Sequence, residues 1–191
     1  MLDIQATWQL DWDNIPLDPI GTQGPTNIGN FIADKSDNKL SLAPPVVGNM
    51  AFTFFKATFI AEITGLPPTV DPVTGRTAFA NAWRDAMMAS IPIVPSGTYI
   101  GTPTPPTTFS APPSATPVVA AGYSALLADL LSAPLATGTY AASLVNPMLV
   151  PSQFPISLRN AFLMVQYILT GIDSTPPPLG PLPLSTTASV L

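Results

Sequence analysis

Histidine and cysteine are both missing from this 191-residue chain, and charge is scarce. Without those two residues, Ser-His-Asp and Cys-His nucleophile arrangements are excluded, and so are thiolate metal sites, most zinc sites and any disulfide framework. Charged residues make up 9% of the chain, against about a quarter in ordinary soluble domains. The shortage is uneven. From Ala86 to Leu191 the charged side chains are Asp129, Arg159 and Asp173 alone. The six Lys and Arg residues form no patch, which argues against nucleic acid and against anionic lipid as partners. A glycine-rich phosphate loop is absent, and so is any Asn-x-Ser/Thr acceptor site.

No spanning or leader segment is expected either. Met1-Leu2-Asp3-Ile4 lacks a basic region ahead of an apolar run, so it does not read as a secretory signal. The uncharged stretch from Leu130 to Leu158 has membrane-spanning length but is broken by Pro134, Pro147, Pro151 and Pro155.

Apolar residues, by contrast, reach 47%, with 25 prolines and 12 glycines. That is too hydrophobic for intrinsic disorder, and proline plus glycine stay near a fifth, below the ~25–30% of low-complexity chains. The composition predicts a folded chain threaded with stiff, extended proline segments.

The N-terminus alternates without exception. Leu2, Ile4, Ala6, Trp8, Leu10 and Trp12 are apolar, and Asp3, Gln5, Thr7, Gln9, Asp11 and Asp13 lie between them. Period two predicts a β-strand with one apolar face. It either pairs inside its own domain or adds to a neighbour's sheet, with Trp8 and Trp12 as anchors. Residues 21–47, with Gly21, Gly24, Pro25, Gly29, Pro44 and Pro45, read as an exposed loop.

Helices are expected further on. One runs from Asn49 to Thr64, with Phe52, Phe55 and Phe59 at helical spacing. A second starts at Thr77 and buries Phe79, Trp83, Ala86 and Met87. A third, capped by Thr116 with Pro117 at its first position, runs to Ser132. Its stripe is Val119, Tyr123, Leu126, Leu127 and Leu130, with a small-residue side of Ala121, Ala125, Ala128 and Ser132. A short helix is expected over 137–146, and a last one over Ser157–Thr170, apolar nearly all round and hence buried. The proline-rich stretch 92–117 and the tail 176–183 read as extended.

The expected fold is therefore mainly α: a small helical-hairpin bundle of about four helices with an N-terminal β-strand and long proline-rich arms. The expected layout is a strand or arm at 1–20, a loop at 21–47, a helical body at 48–171 interrupted by the linker 92–117, and a tail at 172–191. The matches Asn81-Ala82-Trp83 with Asn160-Ala161-Phe162, and Gly97-Thr98-Tyr99 with Gly138-Thr139-Tyr140, leave a duplication open.

Chemistry-bearing patterns are few. Asp11 and Asp13 share a face of the expected strand, where a solvated or edge-guarding role outweighs acid–base work. Asp34-Lys35-Ser36-Asp37-Asn38 has calcium-loop oxygens, but Lys39 stands where glycine is needed and Pro45 where glutamate is needed. Pro103-x-x-Pro106 and Pro178-x-x-Pro181 lack flanking basic residues. A Ser-Lys dyad would need Lys35, Lys39 or Lys56; the first two lie in the expected loop, and Lys56 has no serine three or four residues away. No catalytic, cofactor-binding or metal residue is assigned, and no small-molecule substrate is indicated.

Helix pairs over 50–99 and 118–183, the segment Gly97-Thr98-Tyr99-Ile100 and the proline-rich end together resemble small Ala/Pro/Thr-rich structural proteins of tailed bacteriophages. The resemblance implies a virion component of the neck, tail, baseplate or capsid surface, made in the host cytoplasm. Its partners would be copies of itself and other structural proteins. No functional residue carries over. Ile4, Trp8, Leu10, Trp12, Leu179 and Leu182 are the expected interface residues. An extracellular adhesion or matrix protein and an aspartate- or metal-dependent enzyme are the alternatives.

Overall fold

The structure, a computed structural model, describes residues 5–14, 24–42, 46–49, 51–66, 72–90, 98–99, 107–108, 114–132, 154–172 and 183–190. The chain is mainly helical. In order the elements are α1 (Gln5–Asp13), α2 (Gly24–Ser36), β1 (Ser41–Leu42), β2 (Val46–Asn49), α3 (Lys56–Thr64), α4 (Pro72–Ala89), β3 (Thr98–Tyr99), β4 (Thr107–Thr108), β5 (Ser114–Val118), α5 (Ala120–Ser132), α6 (Phe154–Leu163), β6 (Gln166–Ile172) and β7 (Pro183–Ser189). The strands form two antiparallel sheets, ordered β1-β2-β3-β4 and β5-β6-β7.

The N-terminal segment corrects the expected strand, because residues 5–13 are helical. A strict period of two also contains every fourth residue, and a helix places i and i+4 on one face. Trp8 and Trp12 use that spacing and are 0% and 1% exposed, whereas Leu10, on the opposite side of the helix, is 61% exposed. Gln9 Nε2 donates to Asp13 Oδ1 at 2.9 Å, and Asn14 closes the helix by donating from N and Nδ2 to Leu10 O.

The expected loop at 21–47 holds α2 and β1. Pro25 suits a first turn, and Ile28, Phe31, Ile32 and Lys35 fall on one buried face. Asn38, with φ 55°, turns the chain after the helix, a conformation that asparagine tolerates. Its N–H donates to Phe52 O at 2.8 Å.

Four expected helix boundaries also move. Residues 51–55 precede α3 in extended form, so Phe52 and Phe54 point inward while Thr53 and Phe55 point out. Asn49 therefore ends β2 instead of capping a helix. Thr77 lies within α4, donating back to Val73 O at 2.7 Å. Thr116 and Pro117 belong to β5, not to the start of α5. The last expected helix stops at Leu163, and after buried Val165 a strand follows in which Tyr167 and Leu169 are buried while Gln166, Ile168 and Thr170 are exposed.

One core unites these elements. Aromatic rings form a continuous series, Phe54–Phe59–Phe79–Phe154–Trp12–Phe31–Trp8–Phe162–Trp83, with successive centroids 4.8 to 6.1 Å apart. Such edge-on and tilted pairs contribute beyond simple area burial. α3 packs on α4, as the expected hairpin requires, and α5 sits between α4 and α6. Close approach comes through Gly122, where a Cβ would lie 2.5 Å from Ala161 O and 3.1 Å from Trp83 Cη2. Ala121, Ala128 and Ser132, expected to permit that approach, face outward instead. The helix over 137–146, most of the linker 92–117 and the tail 173–182 lie outside the described residues.

Candidate functional site

A polar cleft of roughly 410 Å³ opens between α1 and α2, lined by Asp11, Asn14, Asn27, Asn30, Phe31, Asp34, Lys35 and Lys39. Its geometry follows from the two helices. Asp11 precedes Trp12 on α1, and Lys35 ends the buried stripe of α2. Packing Trp12 on Phe31, at 5.2 Å between centroids, brings the two charges together. Lys35 Nζ donates to Asp11 Oδ2. Lys35 is 4% exposed while the Asp11 side chain is half exposed, so the pair sits at the boundary of the core. A buried ammonium needs such a partner.

Asn30 in the same cleft is also tied to a neighbouring helix. Lys56 Nζ donates to Asn30 Oδ1 at 2.8 Å. Asp37, just below it, accepts the Phe54 N–H at 2.7 Å. Burial pushes the Asp37 carboxyl above its ordinary range, while the Phe54 N–H and Lys56 pull it down. Ser36 Oγ donates to Ile32 O at 2.8 Å, so the side-chain oxygens of Ser36 and Asp37 serve the end of α2 and the Phe54 N–H. Asp11 and Asp13 diverge on α1 and hold different partners, Lys35 and Gln9, so they form no carboxylate pair. Among the described residues, no group of three or more acidic side chains could hold a metal ion. The cleft works chemically as a charge-paired seam fastening α1 to α2.

A second polar cluster lies on α4 and its neighbours. Arg84 bonds Asp85 through Nε at 2.8 Å and Nη2 at 3.1 Å, and its guanidinium lies 5.1 Å from the centre of the Tyr123 ring. Tyr123 Oη donates to Asn81 Oδ1 at 2.9 Å, tying α5 to α4. Glu62 on α3 is raised from its ordinary range by burial and then by Asp85, with Arg84 opposing. Arg76, nearly buried, donates to Leu130 O at 2.5 Å, and burial lowers its pKa. These contacts bind helix to helix.

Of the expected interface residues, Trp8 and Trp12 are spent inside the chain's own core, and Leu10 stands exposed on α1. Ile4, Leu179 and Leu182 lie outside the described residues. Phe55, expected at helical spacing with Phe52 and Phe59, is exposed instead, and so are Val73, Met88, Leu131, Met164 and Ile168. The buried role of Lys35 was missed as well, although its place after Ile28, Phe31 and Ile32 at helical spacing was a signal. No helix among the described residues is long and apolar enough to cross a membrane. The chain matches no family model, no curated protein and no solved structure.

Proposed function

We propose that this protein is a non-enzymatic structural subunit of a larger assembly, as its resemblance to structural proteins of tailed phages implies: a neck, tail, baseplate or capsid-decorating component. The observation that carries the proposal is the surface of the charge-poor part. Met88, Leu131, Met164 and Ile168 are large, apolar and exposed there, with Asp129, Arg159 and Asp173 as the only charges from residue 86 onward. Apolar exposure without surrounding charge favours association.

In this reading the body is a bundle of short helices. The proline-rich stretches 92–117 and 172–191 serve as arms that reach across neighbours. Strand pairing at β3, β4, β5 and β7 ties the arms back to the body at intervals. Leu10 replaces the two tryptophans as the contact residue offered by α1. The test is co-sedimentation of the protein with DNA-filled particles from cells producing it, read with an antibody. Particle-bound protein in fixed stoichiometry supports the reading. Protein left wholly in the soluble fraction, with particle yield unchanged when its gene is deleted, contradicts it.

A further inference from the structure

The two outer strands of the β5-β6-β7 sheet present unlike edges. In antiparallel pairing, a residue's N–H and C=O point to the same side, and the side alternates along the strand. The Val190 N–H donates to Val165 O at 3.3 Å, so Val190 faces β6. Alternation turns Leu184, Thr186 and Ala188 toward β6 as well, and turns Ser185, Thr187 and Ser189 outward. Carried across β6 through the pairs Thr116↔Ile168 and Val118↔Gln166, the same parity turns Ala115 and Pro117 of β5 outward. Proline has no N–H, so the missing donor falls on the open edge and blunts it. Among the described residues, the β7 edge has no such guard. Beyond Pro183 it contains no proline and no charge, and its register with β6 runs unbroken from Ile172↔Pro183 to Gln166↔Ser189.

We infer that the outward edge of β7 pairs antiparallel with the same edge of a second copy of this chain, across a two-fold axis at Thr187. The inference rests on the reading of the protein as a self-associating subunit and names the surface it uses. A second copy is the occupant because the strand is complementary to itself in this register. Thr187 meets Thr187 of the second copy, and Ser185 meets its Ser189. Each outward residue then donates and accepts a backbone hydrogen bond, and Pro183 is not called upon to donate. The outward residues that pair across the axis, Ser185, Thr187 and Ser189, all carry hydroxyls, and no like charges oppose each other, because the strand has none. The exposed row Thr116, Ile168 and Thr187 continues into its symmetry mate, giving one sheet of twice the width.

The absence of cysteine makes the test clean, because a single introduced thiol can pair only with its own copy. Hydrogen-bonded antiparallel partners sit about 5.5 Å apart at Cα, inside the ~4.4–6.8 Å that a disulfide spans. Thr187→Cys therefore forms a covalent dimer under mild oxidation, and Thr116→Cys, on the same exposed face but the other outer strand, does not. Thr187→Pro deletes an outward N–H without removing a bond to β6, and Thr187→Lys sets like charges together at the axis. Each weakens self-association at least about tenfold by sedimentation equilibrium, with an unchanged circular dichroism spectrum. Should Thr187→Pro fail to fold, the exposed Lys variant carries the test. If the intact protein associates and all three Thr187 variants behave like it, with no covalent dimer, the edge assignment is overturned while the subunit reading stands. If the intact protein remains monomeric at every concentration, both are overturned.

Discussion

Around α1, α2 and α4, charge does much of the fastening. Lys35 holds Asp11, Lys56 holds Asn30, Arg84 holds Asp85 and lies over Tyr123, and Asp37 takes the Phe54 N–H. Around α5, α6 and the β5-β6-β7 sheet almost no ionic groups are available, and the same work falls to apolar burial and close backbone packing: Leu126, Leu130, Leu158, Phe162, Tyr167 and Leu169 are fully buried, and Gly122 lets α5 approach α6. The two regions share one core, yet they meet water differently. The first presents paired charges around its exposed Leu10, Phe55 and Val73. The second presents hydroxyls and isolated large apolar side chains. A fold can be closed inside without ionic groups, but a surface without them is poorly protected against other surfaces. The proposed association therefore uses the outside of the second region, where Leu131, Met164 and Ile168 are exposed, and not the buried stripes of its helices, which are satisfied within the chain.

The contrast can be broken most severely where the regions join. Trp12 touches Phe31 on one side and Phe154 on the other. Trp12→Ala is expected to cost about 3–5 kcal/mol, read as a shift of the whole urea unfolding transition, with both regions melting together. Separate transitions would show that the shared core does not couple them. Gly122→Ala comes next. Its Cβ meets a backbone carbonyl that cannot swing aside, so about 1–3 kcal/mol is lost, equally at low and high salt.

Asp11→Asn tests the charged region. It leaves the buried Lys35 ammonium facing a neutral amide, in a setting between a surface pair and a fully buried one. The expected cost is about 1–2 kcal/mol, shrinking as salt rises. The smallest effect is with pH. Burial holds Asp37 above its ordinary 3.8 and Glu62 above 4.5, so the folded chain binds these protons more tightly than the unfolded chain. The stability they contribute is fully present below those ordinary values and is lost as pH rises through the raised ones. Asp37→Asn, which keeps an acceptor for Phe54 N–H, flattens that slope in acid titrations followed by thermal melting.

How much of this was legible in the sequence depended on whether one periodicity dominated a segment. The stripe Phe79, Trp83, Ala86 and Met87 stated its helix plainly, and all four side chains are buried. So did Leu126 and Leu130 in α5. At the N-terminus two periods coincide, since Trp8 and Trp12 satisfy both the strand and the helix template. Only packing against α2 and α6, whose Phe31, Phe154 and Phe162 meet the two tryptophans, decides between them. Glycine and proline punctuation hid α2 itself, although Ile28, Phe31, Ile32 and Lys35 recur at helical spacing. In Leu163–Leu169 the run of apolar residues masked the switch from helix to strand, with Gln166 and Thr170 as the faint alternating signal. The seam of Lys35 and Asp11 was not legible, because it joins residues far apart through a packing contact that no local pattern encodes.

The most direct measurement is sedimentation velocity of the intact, unmodified protein over a wide concentration range. A concentration-dependent shift from the monomer to discrete larger species is expected, insensitive to added salt because the associating surface is uncharged. A single compact monomer at the highest concentrations would contradict it.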